Sequence, residues 1–91
     1  MYTIEGIISS YPNATGTLKE HPDSCLLILK PEEIKETEQL KGFKAEILDL
    51  NGKTISRNII RSEVHHGVVG VYVAKTQKEE IPRLSKIQWL R

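Results

Sequence analysis

The sequence predicts a small antiparallel β-barrel of about six strands with one short helix, as a single domain over residues 1–91. Three observations carry that expectation. Short β-branched segments recur along the chain, separated by Gly, Pro, Asn and Asp. Only one stretch reads as a helix, and nothing follows a strand–helix–strand rhythm. Finally, the run Val64-His65-His66-Gly67-Val68-Val69-Gly70-Val71-Tyr72-Val73 places two glycines at the entrance and inside of an alternating strand. Gly67 reads as a turn residue at positive φ, and Gly70 as a bend, a barrel corner or a close backbone approach.

The elements follow in order. Residues 2–10 alternate loosely and form a first strand, and residues 11–23 form a long polar loop around Pro12, Asn13, Gly16, Pro22 and Asp23. Cys25-Leu26-Leu27-Ile28-Leu29 is a continuous apolar run, expected to be a strand buried on both faces. Residues 31–41 supply the helix. Pro31 suits its first turn, Glu32 and Glu33 suit the positive end of its dipole, and Gly42 suits its C-terminal stop. Phe43 to Ile47 alternates cleanly, and the phase shift at Leu48-Asp49-Leu50 hints at a bulge. Asn51-Gly52 predicts a type I′ hairpin into a strand over residues 54–60. Residues 68–74 make the next strand, with Val69, Val71 and Val73 on one face and Tyr72 on the other. A charged loop over residues 75–82 then leads to a last strand at residues 87–90, where Trp89 reads as core.

Composition is that of a soluble globular domain, 38% hydrophobic and 27% charged. No apolar segment approaches the roughly twenty residues that span a bilayer, and no signal-peptide pattern is visible at the N-terminus. A single cysteine, Cys25, excludes an internal disulfide framework and fits a reducing compartment, so a cytoplasmic location is expected. Net charge is only +1, but it is unevenly spread. Residues 1–50 hold five Lys or Arg against nine Asp or Glu, a balance of −4, whereas residues 51–91 hold eight against three, a balance of +5. Either the basic half forms one face, or the two halves interleave and the asymmetry averages out.

The chemical motifs are sparse. His21, Cys25, His65 and His66 lack the paired spacing of a metal site. Cys25 opens an apolar run and reads as a small core residue rather than a nucleophile. Glu32, Glu33, Glu36 and Glu38 read as a solvated helix face. With no acid, base or nucleophile pair in evidence, the expectation is a non-enzyme with no cofactor, no metal and no small-molecule substrate. RNA binding is better supported. Lys53, Arg57, Arg61, Lys75, Lys78, Arg83, Lys86 and Arg91 punctuate the turns and strands of the second half, where basic groups on a rigid barrel can reach phosphates at several points. Tyr11 and Tyr72 are candidate stacking residues.

Five segments in order also resemble a known family. They are Gly6-Ile7-Ile8-Ser9-Ser10-Tyr11, Leu27-Ile28-Leu29-Lys30-Pro31, Leu40-Lys41-Gly42 with residues 45–48, Asn51-Gly52-Lys53 with Ile55, and His66-Gly67-Val68-Val69-Gly70-Val71; Pro82 follows. Together they resemble the archaeal and eukaryotic large-subunit ribosomal protein family designated L, thirty-five, Ae, a small β-barrel that binds ribosomal RNA. The chain departs from that pattern in its nearly neutral loop over residues 12–23, and in Val71, Tyr72 and Val73, which stand where arginines are common. The resemblance implies a structural constituent of the large ribosomal subunit, located on cytoplasmic ribosomes. Its expected partners are ribosomal RNA and neighbouring ribosomal proteins, the latter covering the acidic helix face. By motif match it implies RNA contacts at Ser10, Tyr11, Lys53 and His66, with Gly67 and Gly70 as backbone positions. Charge placement alone adds Arg57, Arg61, Lys75, Arg83 and Lys86. The alternative expectation is a free-standing β-barrel interaction module that does not reside in ribosomes.

Overall fold

The computed structural model describes residues 1–30 and 40–90. Its six strands are β1 (Tyr2–Ser9), β2 (Cys25–Leu29), β3 (Lys44–Leu48), β4 (Thr54–His65), β5 (Val68–Val73) and β6 (Lys86–Leu90). They close into an antiparallel barrel in the order β1-β2-β5-β4-β3-β6. The expected fold class is therefore the observed one.

Closure depends on two strands that each serve two sheets. The first part of β1 pairs with β6 at Tyr2 and Thr3, and the rest pairs with β2 from Ile4 onward. Likewise β4 pairs with β3 over Thr54 to Asn58, then with β5 from Ile59 onward. The register slips by one residue at each changeover. Glu5 is the extra residue between Ile4 and Gly6, and Ile60 is the extra residue between Ile59 and Arg61. A bulge bends its strand and sharpens the local twist, which lets one strand leave one sheet for the other. These bulges are the barrel's corners. Gly70 is not, because it keeps regular register with Ile28 on one side and Glu63 on the other.

Alternation places Cys25, Leu27, Leu29, Val69, Val71 and Val73 inside the barrel with Ile4, Ala45, Ile47, Ile59 and Ile87, all fully or nearly fully buried. Tyr2 and Trp89 pack against this core and stack on each other, with ring centroids 4.8 Å apart. The β2 run is buried on one face only, since Leu26 and Ile28 point outward and are half-buried. Leu26 is partly covered because the segment expected as a plain loop contains a short helix, α1 (Gly16–Glu20). Leu18 and Ala14 pack with Tyr72 against Leu26 and Ile60 on the outer surface, and the Ser10 hydroxyl donates to the Leu18 carbonyl. The helix expected over residues 31–41 lies almost wholly outside the described residues, as do Glu32 to Glu38. Leu40, at its end, is buried, and its N–H donates to Ser62 Oγ.

The type I′ turn expected at Asn51-Gly52 lies instead at the other hairpin, where Gly67 is left-handed as expected. His66 and Gly67 carry φ of 51° and 78°, the positive pair that a type I′ turn requires. Between β3 and β4 only Gly52 is left-handed, at φ 83°. There the chain turns through three residues, with Gly52 N–H donating to the Asp49 carbonyl and Asp49 N–H donating to the Lys53 carbonyl. The Asp49 carboxylate makes this geometry favourable by accepting from the N–H groups of Asn51 and Lys53, both at 2.9 Å. The phase shift at residues 48–50 is therefore the start of a turn and not a bulge.

Candidate nucleic-acid interface

The strand register separates the cations around the middle of β4 from those on the hairpins. At one end lie Ser9, Cys25, Val73 and Ile59, aligned across the sheet. They continue into the neighbouring row of Lys44, Asn58 and Leu90. The β5–β6 connection leaves from here, so this is the crossover end. Away from it, Thr3, Lys86, Leu48 and Thr54 share one row with the 49–53 turn beyond, and the His66-Gly67 turn lies at the other end of β4, so the two hairpins flank the strand on opposite sides.

Five cations gather at the crossover end around the bulged middle of β4. A hollow of about 430 Å³ is lined by Lys44, Ser56, Arg57, Asn58, Ala74 and Lys75. A second, of about 720 Å³, adjoins it along β4 and is lined in part by His21, Lys41, Ile59, Ile60 and Arg61. Backbone bonds hold the flanks together. Ala74 N–H donates to the Asn58 carbonyl, Gly42 N–H to the Ile59 carbonyl and Ile59 N–H to the Phe43 carbonyl. Residues 41–44 thus lie along one side of β4 and residues 73–75 along the other. Lys41 and Lys44 join this cluster although sequence reasoning did not single them out, because they belong to the acidic half of the chain. The Lys44–Asn58 pairing is what brings Lys44 to the basic residues of the second half.

Each cation is employed differently. Arg57 pairs in register with buried Ala45, so it faces inward at the barrel mouth. Its Nη2 lies 2.7 Å from Glu80 Oε2, its Nε donates to the Lys75 carbonyl at 3.3 Å, and its Nη1 donates to the Ser56 carbonyl. Arg61 approaches Glu63 at 3.8 Å, and Glu63 also accepts from the Tyr72 hydroxyl at 3.0 Å. Burial, and then the bond to Glu63, raises the Tyr72 hydroxyl above its ordinary pKa. Tyr72 is a buried structural residue, not a stacking platform. Among the described residues, Lys41, Lys44 and Lys75 form no ion pair. Lys75 sits at φ 51°, a left-handed backbone that costs an ordinary side chain about 1–2 kcal/mol.

The remaining sequence-predicted residues lie elsewhere. Ser10 and Tyr11 line a third hollow of about 650 Å³ with Pro12, Lys19 and Pro22, where Tyr11 is exposed. Lys53 occupies the hairpin turn, four residues along β4 from Arg57, a separation of about 13 Å. His66 and Gly67 are exposed at the other hairpin. Arg83 precedes Leu84, whose N–H donates to the Ile4 carbonyl, and Lys86 Nζ donates to Thr3 Oγ1 at 2.6 Å. Gly70 is not a surface for a ligand. It is buried, and a methyl there would stand 2.8 Å from Leu26 Cδ1, so the close approach it permits is made by the chain itself. Cys25 is fully buried and donates Sγ–H to the Thr76 carbonyl, and burial raises its thiol pKa. Among the described residues no three His, Cys, Asp or Glu side chains gather to hold a metal.

A scan of protein-family models, a search of curated proteins and a search of solved structures each return no match to this chain.

Proposed function

We propose that this chain is a structural RNA-binding protein of the large ribosomal subunit, which docks on folded ribosomal RNA chiefly through its crossover end. The observation that carries the RNA reading is the convergence of Lys41, Lys44, Arg57, Arg61 and Lys75 around a single strand segment. Cations fixed on a rigid barrel can reach several backbone phosphates and need no base contacts. The ribosomal part of the reading is supported by the ordered motif resemblance. Sucrose-gradient fractionation with mass spectrometry tests it: the chain is expected in the large-subunit peak at low salt, and its absence there overturns the assignment. Affinity for a folded RNA should fall with a slope of roughly −3 to −4 in log–log salt dependence, from the four cations not held by Glu80.

One observation favours the second reading, a free-standing protein-binding barrel. The outer face of the β1–β2–β5 sheet carries Ile8 and Val68, 39% and 38% exposed, beside half-buried Ile28. A salt-independent response to RNA would favour that reading.

A further inference from the structure

The hollow between β3, β4 and the β5–β6 connection combines features that a merely solvated patch would lack. Three cations, Lys44, Arg57 and Lys75, surround two neutral hydrogen-bonding side chains, Ser56 and Asn58. The guanidinium of Arg57 already holds an oxyanion, the Glu80 carboxylate at 2.7 Å, brought in by a short 3-10 turn at Lys78–Glu80. Both partners are only partly covered, with side-chain exposures of 27% and 37%, so water and ions reach the pair. Lys75 adds a second, independent sign. A glycine would relieve its left-handed backbone, yet the position carries a lysine whose charge points to no internal partner among the described residues.

We propose that this hollow is a phosphate site, and that Glu80 keeps it closed in the free protein by occupying Arg57 where a phosphate oxygen would bind. The inference rests on the RNA reading for its natural ligand, a phosphodiester of the RNA backbone. A phosphate oxygen can take the place of the Glu80 carboxylate oxygen at Arg57 Nη2, and the group carries further oxygens for Lys44 and Lys75. Binding exchanges one anion for another at Arg57 and releases Glu80 to solvent. Because Arg57 also donates to the Lys75 carbonyl, the exchange loosens or tightens the start of the β5–β6 connection as the ligand enters. The site is therefore coupled to the segment that crosses the barrel mouth.

Two carboxylates of the same turn separate a latch from bulk charge. Glu80→Gln and Glu79→Gln remove the same charge a residue apart, and only Glu80 is bonded to Arg57. Each variant is titrated with inorganic phosphate and with a folded RNA hairpin, while NMR follows the Arg57 Nε–H and the Lys75 amide. Glu80→Gln is expected to tighten binding of both ligands by roughly two- to fivefold, the scale of a partly exposed ion pair, with Glu79→Gln nearly neutral. Both reporter resonances should shift with either ligand. Equal gains in the two variants, or RNA binding that leaves the Arg57 and Lys75 signals unmoved, would overturn the latch while leaving the RNA reading intact. Phosphate shifts without any RNA binding would instead keep the site and sink the RNA reading. Thermal melts of both variants check that the barrel persists, and Arg57→Lys, which keeps the charge but loses the Nη2 donor held in place by the two backbone bonds, should abolish the difference between them.

Discussion

At the crossover end, Lys41, Lys44, Arg57, Arg61 and Lys75 crowd around the middle of β4. On the hairpins and the β1–β6 seam, Lys53, Lys86 and His66 stand on separate turns and strands, and Lys86 is bonded to Thr3. Five cations stand against two, and the geometry differs as well. A bulged strand flanked on both sides by loop residues concentrates charge, whereas two tight hairpins point their tips apart. Density of cations around one segment, rather than net charge, is what separates a phosphate-binding surface from a solvated one.

The largest effect should come from reversing charge in one region at a time. Lys44→Glu with Lys75→Glu is expected to weaken binding of a folded RNA by at least about tenfold and to reduce the salt slope by about two. The matching pair in the other region, Lys53→Glu with Lys86→Glu, should change affinity by less than about threefold. Equal losses would break the comparison and restore Lys53 and His66 as contacts of equal weight, as the family resemblance implies. Stability should divide the same way. Arg57→Ala removes three hydrogen bonds at the barrel mouth and should cost about 2 kcal/mol in urea unfolding, against about 1 kcal/mol or less for Lys86→Ala; both values are kept low because the side chains are partly exposed.

A subtler test uses one left-handed non-glycine residue from each region. Lys75 and His66 both sit at φ 51°, so Lys75→Gly and His66→Gly should each leave stability unchanged or raise it by up to about 1 kcal/mol. Only the first should weaken RNA binding, by several-fold. The smallest effect is expected in alkali. Tyr72, bonded to the Glu63 that also faces Arg61, has a raised pKa in the folded state, chiefly from burial. The unfolded chain therefore loses this proton first. Its contribution to stability is complete below about pH 10 and fades above it, and Tyr72→Phe should remove that alkaline limb from a pH series of thermal melts.

The strands were legible because alternation and β-branching are local. Residues 25–29 match β2 to the residue, and the inward Val69, Val71 and Val73 and outward Tyr72 are as expected. What escaped was set by partners distant in sequence. The β4 strand runs to His65, well past residue 60, because a bulge at Ile60 hides its continuation from a period-2 reading. The α1 turn forms because Leu18 and Ala14 find Tyr72, more than fifty residues away, and no local signal announces that. Both hairpins contain an X-Gly pair, but at residues 49–53 the Asp49 carboxylate selects a three-residue loop over type I′. Among the site residues, Arg57, Arg61 and Lys75 were visible as second-half cations. Lys41 and Lys44 were not, because only the β3–β4 register reveals which side of the barrel they occupy.

The pairing of β1 with β6 through Tyr2–Ile87 and Thr3–Lys86 also has a kinetic side. The barrel is joined at its seam by strands from opposite ends of the described chain, so its closing contact has nearly the greatest loop entropy the domain can demand. The β1–β2–β5–β4–β3 ribbon can assemble earlier, but β1 cannot reach its second sheet until β6 is present. A chain emerging from its exit tunnel would therefore wait, with β1 and β3 unpaired along one edge, until Lys86–Leu90 had followed. Refolding should accordingly be slow for so small a protein, and a change confined to the β1–β6 seam should slow closure more than its modest cost in stability would indicate.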